Sequence, residues 1–546
     1  MSFNEQAFLE RYQKLNEEQK QAVNTIYGPV MVIAGPGTGK TEVLAMRIAN
    51  LLRSDVQVQP QEILCLTFTD EGTVAMRRRL LEIVGEAAHK VHIYTFHAFC
   101  NNIIQSNPDY FGFRELTPIS DLEKMDLVYD IIKNLPEGHL LRRLKGDLFY
   151  DAKNLLSLFD MMKSEGWTPE RICSEIDWCI ENFPNQEKYQ YKRANAKKNI
   201  KVGDLKTADI KKETERLERT RAACLLYSEY ERRMQQGGRY DFGDMILWVL
   251  RAFREHPEFL QRQQERFQFL LADEFQDTSG AQYELLTMLS DYWEDPNLFI
   301  VGDDDQSIFE FQGARLHNII DFYNRYRKSI QVIVLKHNYR SSQFVLDASA
   351  ATIRHNEQRL IYQLRELQLD KNILAANERF AKEQFTPPVI HACYNQAHED
   401  AFIVDKIVSL MESGVPLNQV AVLYAQHKQA ANIISLLEKK SIPYWVKRPV
   451  NVLELPLVTQ LLDILRYLEA ERTNSFSGEE RLFRLMHAPF FGIRPLDIAT
   501  LSIYLQSKEK RYRYWRQLLQ DALLLQTIEL AQSTPLRRPG GHLERS

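Results

Sequence analysis

Lys40 and Thr41 stand at the end of a run of small residues, Gly35, Gly37, Thr38 and Gly39, that follows the apolar stretch 29–34. An amine and a hydroxyl placed side by side after such a loop suit the holding of a phosphate chain. Small residues let backbone N–H groups converge on phosphate oxygens at a helix N-terminus, where the dipole favours anions. Lys40 can reach the β- and γ-phosphates, and the Thr41 hydroxyl can hold Mg²⁺. The strict pattern has glycine where this chain has Ala34. Two carboxylates, Asp273 and Glu274, close a second apolar run, FQFLLAD. An Asp there can share the metal with Thr41, and its neighbouring Glu can polarise an attacking water. A third run ends in Gly302-Asp303-Asp304-Asp305-Gln306, which reads either as a solvated acidic turn or, at the same sheet edge, as placing Gln306 to sense the γ-phosphate and the water.

Positioning these groups takes strands that end at one edge. The segments 29–34, 62–69, 90–100, 266–278 and 297–309 carry strand pattern, with helical spacing between them. Such alternation predicts a parallel, doubly wound α/β sheet that binds ligands at its carboxyl edge. Asn16 is the expected cap of a helix over 15–23. From about 105 to 239 the pattern turns helical, and strand pattern then resumes, so this block reads as an insertion. Within it, residues 191–221 carry eleven Lys/Arg against five Asp/Glu. A further sheet-like segment starts at 329–342 and continues through 387–394 and 418–425. After about 470 the chain is again helical and polar, and 533–546 reads as a tail.

Composition narrows the classes. At 546 residues the chain has length for three or four domains, with 44% hydrophobic and 26% charged residues as in soluble globular proteins. A net charge of −4 excludes a global polycation, so any nucleic-acid footprint must be local. The six cysteines include no C-x-x-C pair, which argues against a zinc site or a disulfide framework. No apolar run is long enough to span a membrane and the N-terminus is unlike a secretory signal; a cytoplasmic setting is expected.

Eight stretches carry a resemblance: LNEEQ, AGPGTGKT, LTFTDEGTVAM, YTFHAF, YDFGDM, LADEFQDTS, VGDDDQSIFEFQGA and LKHNYRSS. In this order they resemble superfamily 1 DNA helicases of the UvrD/Rep/PcrA type, from residue 15 to about 470. Ala34 is usual in that family's phosphate loop. The resemblance implies P-loop NTPase architecture: RecA-like parallel-sheet motor domains with large helical insertions. It also implies ATP-driven 3′-to-5′ translocation on single-stranded DNA and at its junctions with duplex. By position, Gln19 would read the adenine edge, Tyr339 would stack on the base, and Arg340 would reach the γ-phosphate. DNA would be contacted by Phe68, Thr95, His97, Phe309 and Phe311, aromatic faces being sequence-tolerant platforms for bases.

The implied domains are a first motor domain (1–104 and 240–328), a helical insert (105–239), a second motor domain (329–470) and a second insert beginning at 471. Phe311 and Gln312 replace the family's usual Trp and Arg, and VKRPVNVLELPL replaces a glycine-phenylalanine motif. Two late motifs of the family have no evident counterpart in the sequence, one of which supplies a second arginine to the γ-phosphate. The expectation is an incomplete second motor domain, with either a helicase completed elsewhere or a binding module of little turnover. Some longer relatives carry a nuclease, so a nuclease or repair partner is a further expectation. A P-loop kinase is the distant alternative, against which the ordered DNA-contact stretches speak.

Overall fold

A computed structural model describes residues 4–53, 58–112, 116–142, 148–193, 201–308, 315–378, 387–446, 452–505 and 513–521. Six short apolar runs form one sheet: β1 (Val30–Ala34), β2 (Ile63–Thr67), β3 (His92–Thr95), β4 (Phe269–Ala272), β5 (Leu298–Gly302) and β6 (Gln331–Leu335). The order across it is β3-β2-β4-β5-β1-β6, and every neighbouring pair is parallel. Six helices position the site: α1 (Glu17–Asn24), α2 (Lys40–Arg53), α3 (Phe96–Ser106), α4 (Ala152–Glu165), α5 (Phe242–Glu255) and α6 (Gly280–Ser290).

Side chains alternate across a strand, so a sheet covered on both faces buries every residue of its central strands. Met31 and Ile33 of β1 point into one core with Phe99, Val249 and Leu285 of α3, α5 and α6. Val30, Val32 and Ala34 enter the opposite core with Ala22 of α1 and Leu44 and Ile48 of α2. Residues 331–335, read from the sequence as the start of the second motor domain, instead complete this first sheet. Ile333 pairs with Val32, because β1 otherwise offers an apolar strand with an open edge.

The described residues between 121 and 236 are mainly helical and surround a separate core that includes Val128, Phe159, Met162 and Tyr230. The chain enters and leaves this block side by side, Thr117–Pro118 pairing in parallel with Arg239–Tyr240. Of the basic run, the helix Thr207–Cys224 is described, while 194–200 lie outside the described residues.

The chain forms two compact units, Met1–Val389 and Ile390–Ser546. In the second, helices Gln396–Glu412 and His427–Lys439 share a small core of Val404, Ile407, Ile433 and Leu437. The strands expected at 387–394 and 418–425 do not form. Neither segment has a ladder partner among the described residues, and the apolar side chains of Ile390 and Leu423 stay 99% and 95% exposed. Among the described residues no helix is long and apolar enough to cross a membrane.

Candidate functional site

Because all six strands run the same way, the segments after them emerge at one edge in sheet order. Thr95 ends β3 and His97 follows it, Phe68 follows β2, Asp273 and Glu274 follow β4, and Asp303 to Gln306 follow β5. The phosphate loop follows β1, and Asn338, Tyr339 and Arg340 follow β6. The strand order thereby separates two neighbourhoods, one around the loop and one around Phe68 and His97.

In the loop, Gly37 and Gly39 have φ of +73° and +89°, a backbone conformation that side-chained residues rarely adopt. A Cβ at Gly37 would also lie 2.6 Å from Cβ of Arg340 and 2.8 Å from Nδ2 of Asn338. Thr38 is buried, its hydroxyl donating to the Gly35 carbonyl at 2.8 Å. Lys40 and Thr41 open α2, whose first-turn N–H groups have no intrahelical acceptor. Lys40 Nζ meets Glu274 Oε2 at 2.5 Å.

The acid pair has an unusual local backbone. Glu274 is left-handed, φ +48° and ψ +46°, a conformation costing a non-glycine residue on the order of 1 kcal/mol or more. Asp273 is buried, accepts the Glu274 N–H at 3.0 Å and forms no ion pair among the described residues. Burial, then the Glu274 charge, pushes its carboxyl up to about 6. A buried carboxylate so destabilised, at the same sheet edge as the helix that Lys40 and Thr41 open, is a hard-oxygen donor of the kind that fits Mg²⁺.

Gln276 links this pair to the next strand end. Its Nε2 donates to Glu274 Oε2 at 2.9 Å, and its Oε1 accepts the Asp303 N–H at 2.9 Å. Asp303 Oδ2 in turn accepts Gln306 Nε2 at 2.8 Å. Glu274 and Gln306 are therefore joined through two fixed groups. Gln276 escaped the sequence reading because its amide has no chemistry of its own; the only signal was its place two residues after the acid pair.

On the far side of the loop, Gln19 is buried in the capping box of α1 with Asn16, and its Nε2 donates to the Thr38 carbonyl at 2.9 Å. The Asn16 amide donates to the Tyr339 hydroxyl at 3.2 Å, and the Tyr339 N–H donates to the Gly37 carbonyl at 2.9 Å. Gln19 and Tyr339 thus flank the loop together. Asn338, not singled out from the sequence, donates to the Pro36 carbonyl and accepts the Arg340 and Ser341 N–H groups. The Arg340 guanidinium forms no ion pair among the described residues. Buried Arg47 on α2 donates to the carbonyls of Ala22, Thr25 and Ile26, pinning α1 to the loop's helix.

The second neighbourhood is a cleft of about 420 Å³ lined by Phe68, His97, Lys124, Tyr240 and Phe242. The His97 and Phe242 rings meet edge-on at 6.1 Å, and Phe242 is 68% exposed. Burial holds the His97 imidazole below its ordinary value, with Asp241 and Asp70 only partly offsetting it. Thr95 contributes differently: its hydroxyl accepts the Ala98 N–H at 3.3 Å and caps α3. Phe309 and Phe311, like Gln312, lie outside the described residues. Phe242 was missed as a site residue, although the stretch YDFGDM contains it.

The same residues can be set beside known families. The model of the UvrD/REP helicase N-terminal domain matches residues 15–327. The chain belongs to the UvrD/REP helicase family. The UvrD-like helicase C-terminal domain matches residues 333–508. This second match overturns the expectation that the late part of the family pattern is absent. An ATP-dependent DNA helicase PcrA of Staphylococcus epidermidis is 29% identical over 491 residues, 90% of this chain and 58% of that protein. Its namesake in Staphylococcus aureus is 28% identical over 492 residues with the same shares. The chain thus spans rather more than half the length of these UvrD/REP relatives. The P-loop, parallel-sheet architecture expected of a UvrD/REP motor is the one that the six strands and the glycine loop build.

Proposed function

We propose that the chain is an ATP-driven DNA motor, a helicase that moves 3′-to-5′ along single-stranded DNA and acts at its junctions with duplex in repair or recombination. The observation that carries this reading is the continuous set Lys40–Glu274–Gln276–Asp303–Gln306 beside a phosphate loop. The names of the relatives, ATP-dependent DNA helicases, support the same reading.

In the proposed reaction Thr41 and Asp273 would hold Mg²⁺, which would supply positive charge against the phosphate chain. Backbone N–H groups of the loop and Lys40 bind the phosphates. Lys40 exchanges Glu274 for phosphate oxygen, and the freed carboxylate then orients and deprotonates the attacking water. Gln306 senses that water and the γ-phosphate. Arg340 brings a cation to the charge developing on the transferred group. Gln19 and Tyr339 take the adenine. Phe68, His97 and Phe242 offer stacking faces to bases, each such contact being worth about 1–3 kcal/mol without reading sequence. In this reading residues 4–104 with 240–335 make the first motor domain and 105–239 its helical insert.

Two variants test the assignment. Lys40→Ala should abolish most nucleotide binding. Glu274→Gln should leave binding within a few-fold while DNA-stimulated hydrolysis falls by roughly 10²–10⁴, as expected for loss of a general base. Titration with a fluorescent nucleotide, alongside phosphate release with and without oligo-dT, reads both. Equal loss of binding in the two variants would sink the roles.

A further inference from the structure

Asp303, Asp304 and Asp305 are consecutive, and the first two are almost wholly buried. Three adjacent carboxylates in such a place repel one another unless a cation is built in. That cation is Lys371, 65 residues beyond Gln306 in sequence. Its Nζ lies 2.8 Å from Asp303 Oδ1, 2.6 Å from Asp304 Oδ1 and 2.7 Å from Asp305 Oδ2, and its side chain is 4% exposed. Burial pulls the ammonium down, but the three carboxylates outweigh it and hold Lys371 above its ordinary value. Arg359 adds a two-pronged pair to Asp305, both bonds at 2.7 Å, and the Leu360 N–H donates to Asp304 Oδ2 at 2.8 Å.

The segment that supplies these groups continues to the other side of the phosphate loop. A Cβ at Gly35 would collide with Cδ1 of Ile373. Leu374–Ala375 pairs in parallel with His337–Asn338, and the Asn377 amide donates to the Tyr339 carbonyl at 3.0 Å. Residues 359–377 therefore form a strap. One end grips the acids next to Gln306, and the other lies along the residues that lead into Arg340.

We infer that Lys371 is a positioning residue for ATP hydrolysis, which holds Gln306 in its working geometry through Asp303. Asp303 uses Oδ2 for the Gln306 amide and Oδ1 for Lys371 and the Asp305 N–H. Remove the ammonium, and Asp303 faces two like charges with no local cation of its own. It then either takes up a proton or swings away, and in both cases the acceptor that orients Gln306 is lost. The inference rests on the proposed role of Gln306, and its test separates the two.

The experiment is a double-mutant cycle on the 546-residue chain: wild type, Lys371→Met, Gln306→Ala and the pair, with oligo-dT-stimulated ATP hydrolysis resolved into kcat and KM. Lys371→Met should lower kcat roughly 10- to 100-fold, the scale of a misplaced reacting group, with KM for ATP changed less than about threefold. In the Gln306→Ala background the same substitution should cost less than about twofold, because the group it positions is gone. A purely structural lysine gives the same loss in both backgrounds and overturns the inference. So does an unchanged kcat in Lys371→Met when Gln306→Ala is impaired. An unimpaired Gln306→Ala, or no hydrolysis by the wild type, overturns the function reading and this inference with it. If Lys371→Met is insoluble, Lys371→Arg takes its place in the cycle. Its planar fork cannot point one nitrogen at three carboxylates, and the same background dependence decides.

Discussion

Asp273 is a single side chain whose burial costs the fold stability. Its carboxyl is pushed up to about 6 from the ordinary 3.8, first by burial and then by Glu274. The folded chain thus binds that proton more tightly than the unfolded chain. Between pH 3.8 and about 6 stability falls as pH rises, and above that window the full cost remains. Asp273→Asn should therefore raise the melting temperature of the nucleotide-free chain at pH 7.5, by an amount corresponding to about 1–3 kcal/mol. The gain should vanish as the pH is brought to 4, and Mg²⁺-dependent nucleotide binding should be lost at every pH. Thermal unfolding of both proteins across this range checks it; a gain independent of pH would mean that the charge is not the cause. At this scale the sequence was legible wherever a residue has chemistry of its own. Lys40, Thr41, Asp273 and Glu274 announce themselves by type and spacing, and the structure brings all four to one edge. Gln276, Asn338 and Lys371 do not, since what each does is set by a partner 27, 302 or 68 residues away in sequence.

Between elements, the join of α4 to α5 turns on one buried lysine. Lys163 near the end of α4 reaches Asp241, the N-cap of α5, at 2.9 Å and Asp244 in its first turn at 2.7 Å. Lys124 reaches the same Asp241 at 3.1 Å. Burial pulls the Lys163 ammonium down, yet Asp244 and Asp241 hold it above its ordinary value. Lys163→Met would leave two buried carboxylates with only Lys124 to answer them. Breaking a buried pair from one side costs about 3–5 kcal/mol, so the midpoint of urea unfolding should drop by that equivalent. Lys163→Met with Asp244→Asn should recover part of it, and failure of the second change to help would show that packing rather than charge is lost. Elements differed in legibility for a related reason. Strands of the first sheet were readable because both faces are covered and their apolar runs are continuous. The equally apolar runs at 387–394 and 418–425 are not strands, because a strand is defined by its neighbour, and none lies beside them among the described residues.

Across the whole molecule, a net charge of −4 gives no long-range attraction for DNA, so the proposed DNA binding requires a local track of cations and rings. Lys124, on the helical insert, stands in the cleft with Phe68, His97 and Phe242, and the insert's helix Thr207–Cys224 carries five of the eleven Lys/Arg of the basic run. Such a track makes a quantitative demand. Each phosphate contact with a single strand releases condensed counterions, and log K falls with log salt by about 0.7 per contact. Four to six contacts, a modest footprint, predict a slope of about −3 to −4 for oligo-dT. Stacking adds affinity without adding to the slope, since it displaces no counterions. Phe242→Ala should then weaken binding about 5- to 160-fold, the range of one lost stack, and leave the slope unchanged. Lys124→Met should do the reverse in part, flattening the slope by up to about 0.7. Fluorescence anisotropy of a labelled oligonucleotide between 50 and about 300 mM salt measures both. A flat salt response in the wild type would remove the DNA-binding reading altogether. An unchanged slope in Lys124→Met would move the phosphate track away from this cleft while leaving the aromatic platform to be judged by Phe242→Ala alone.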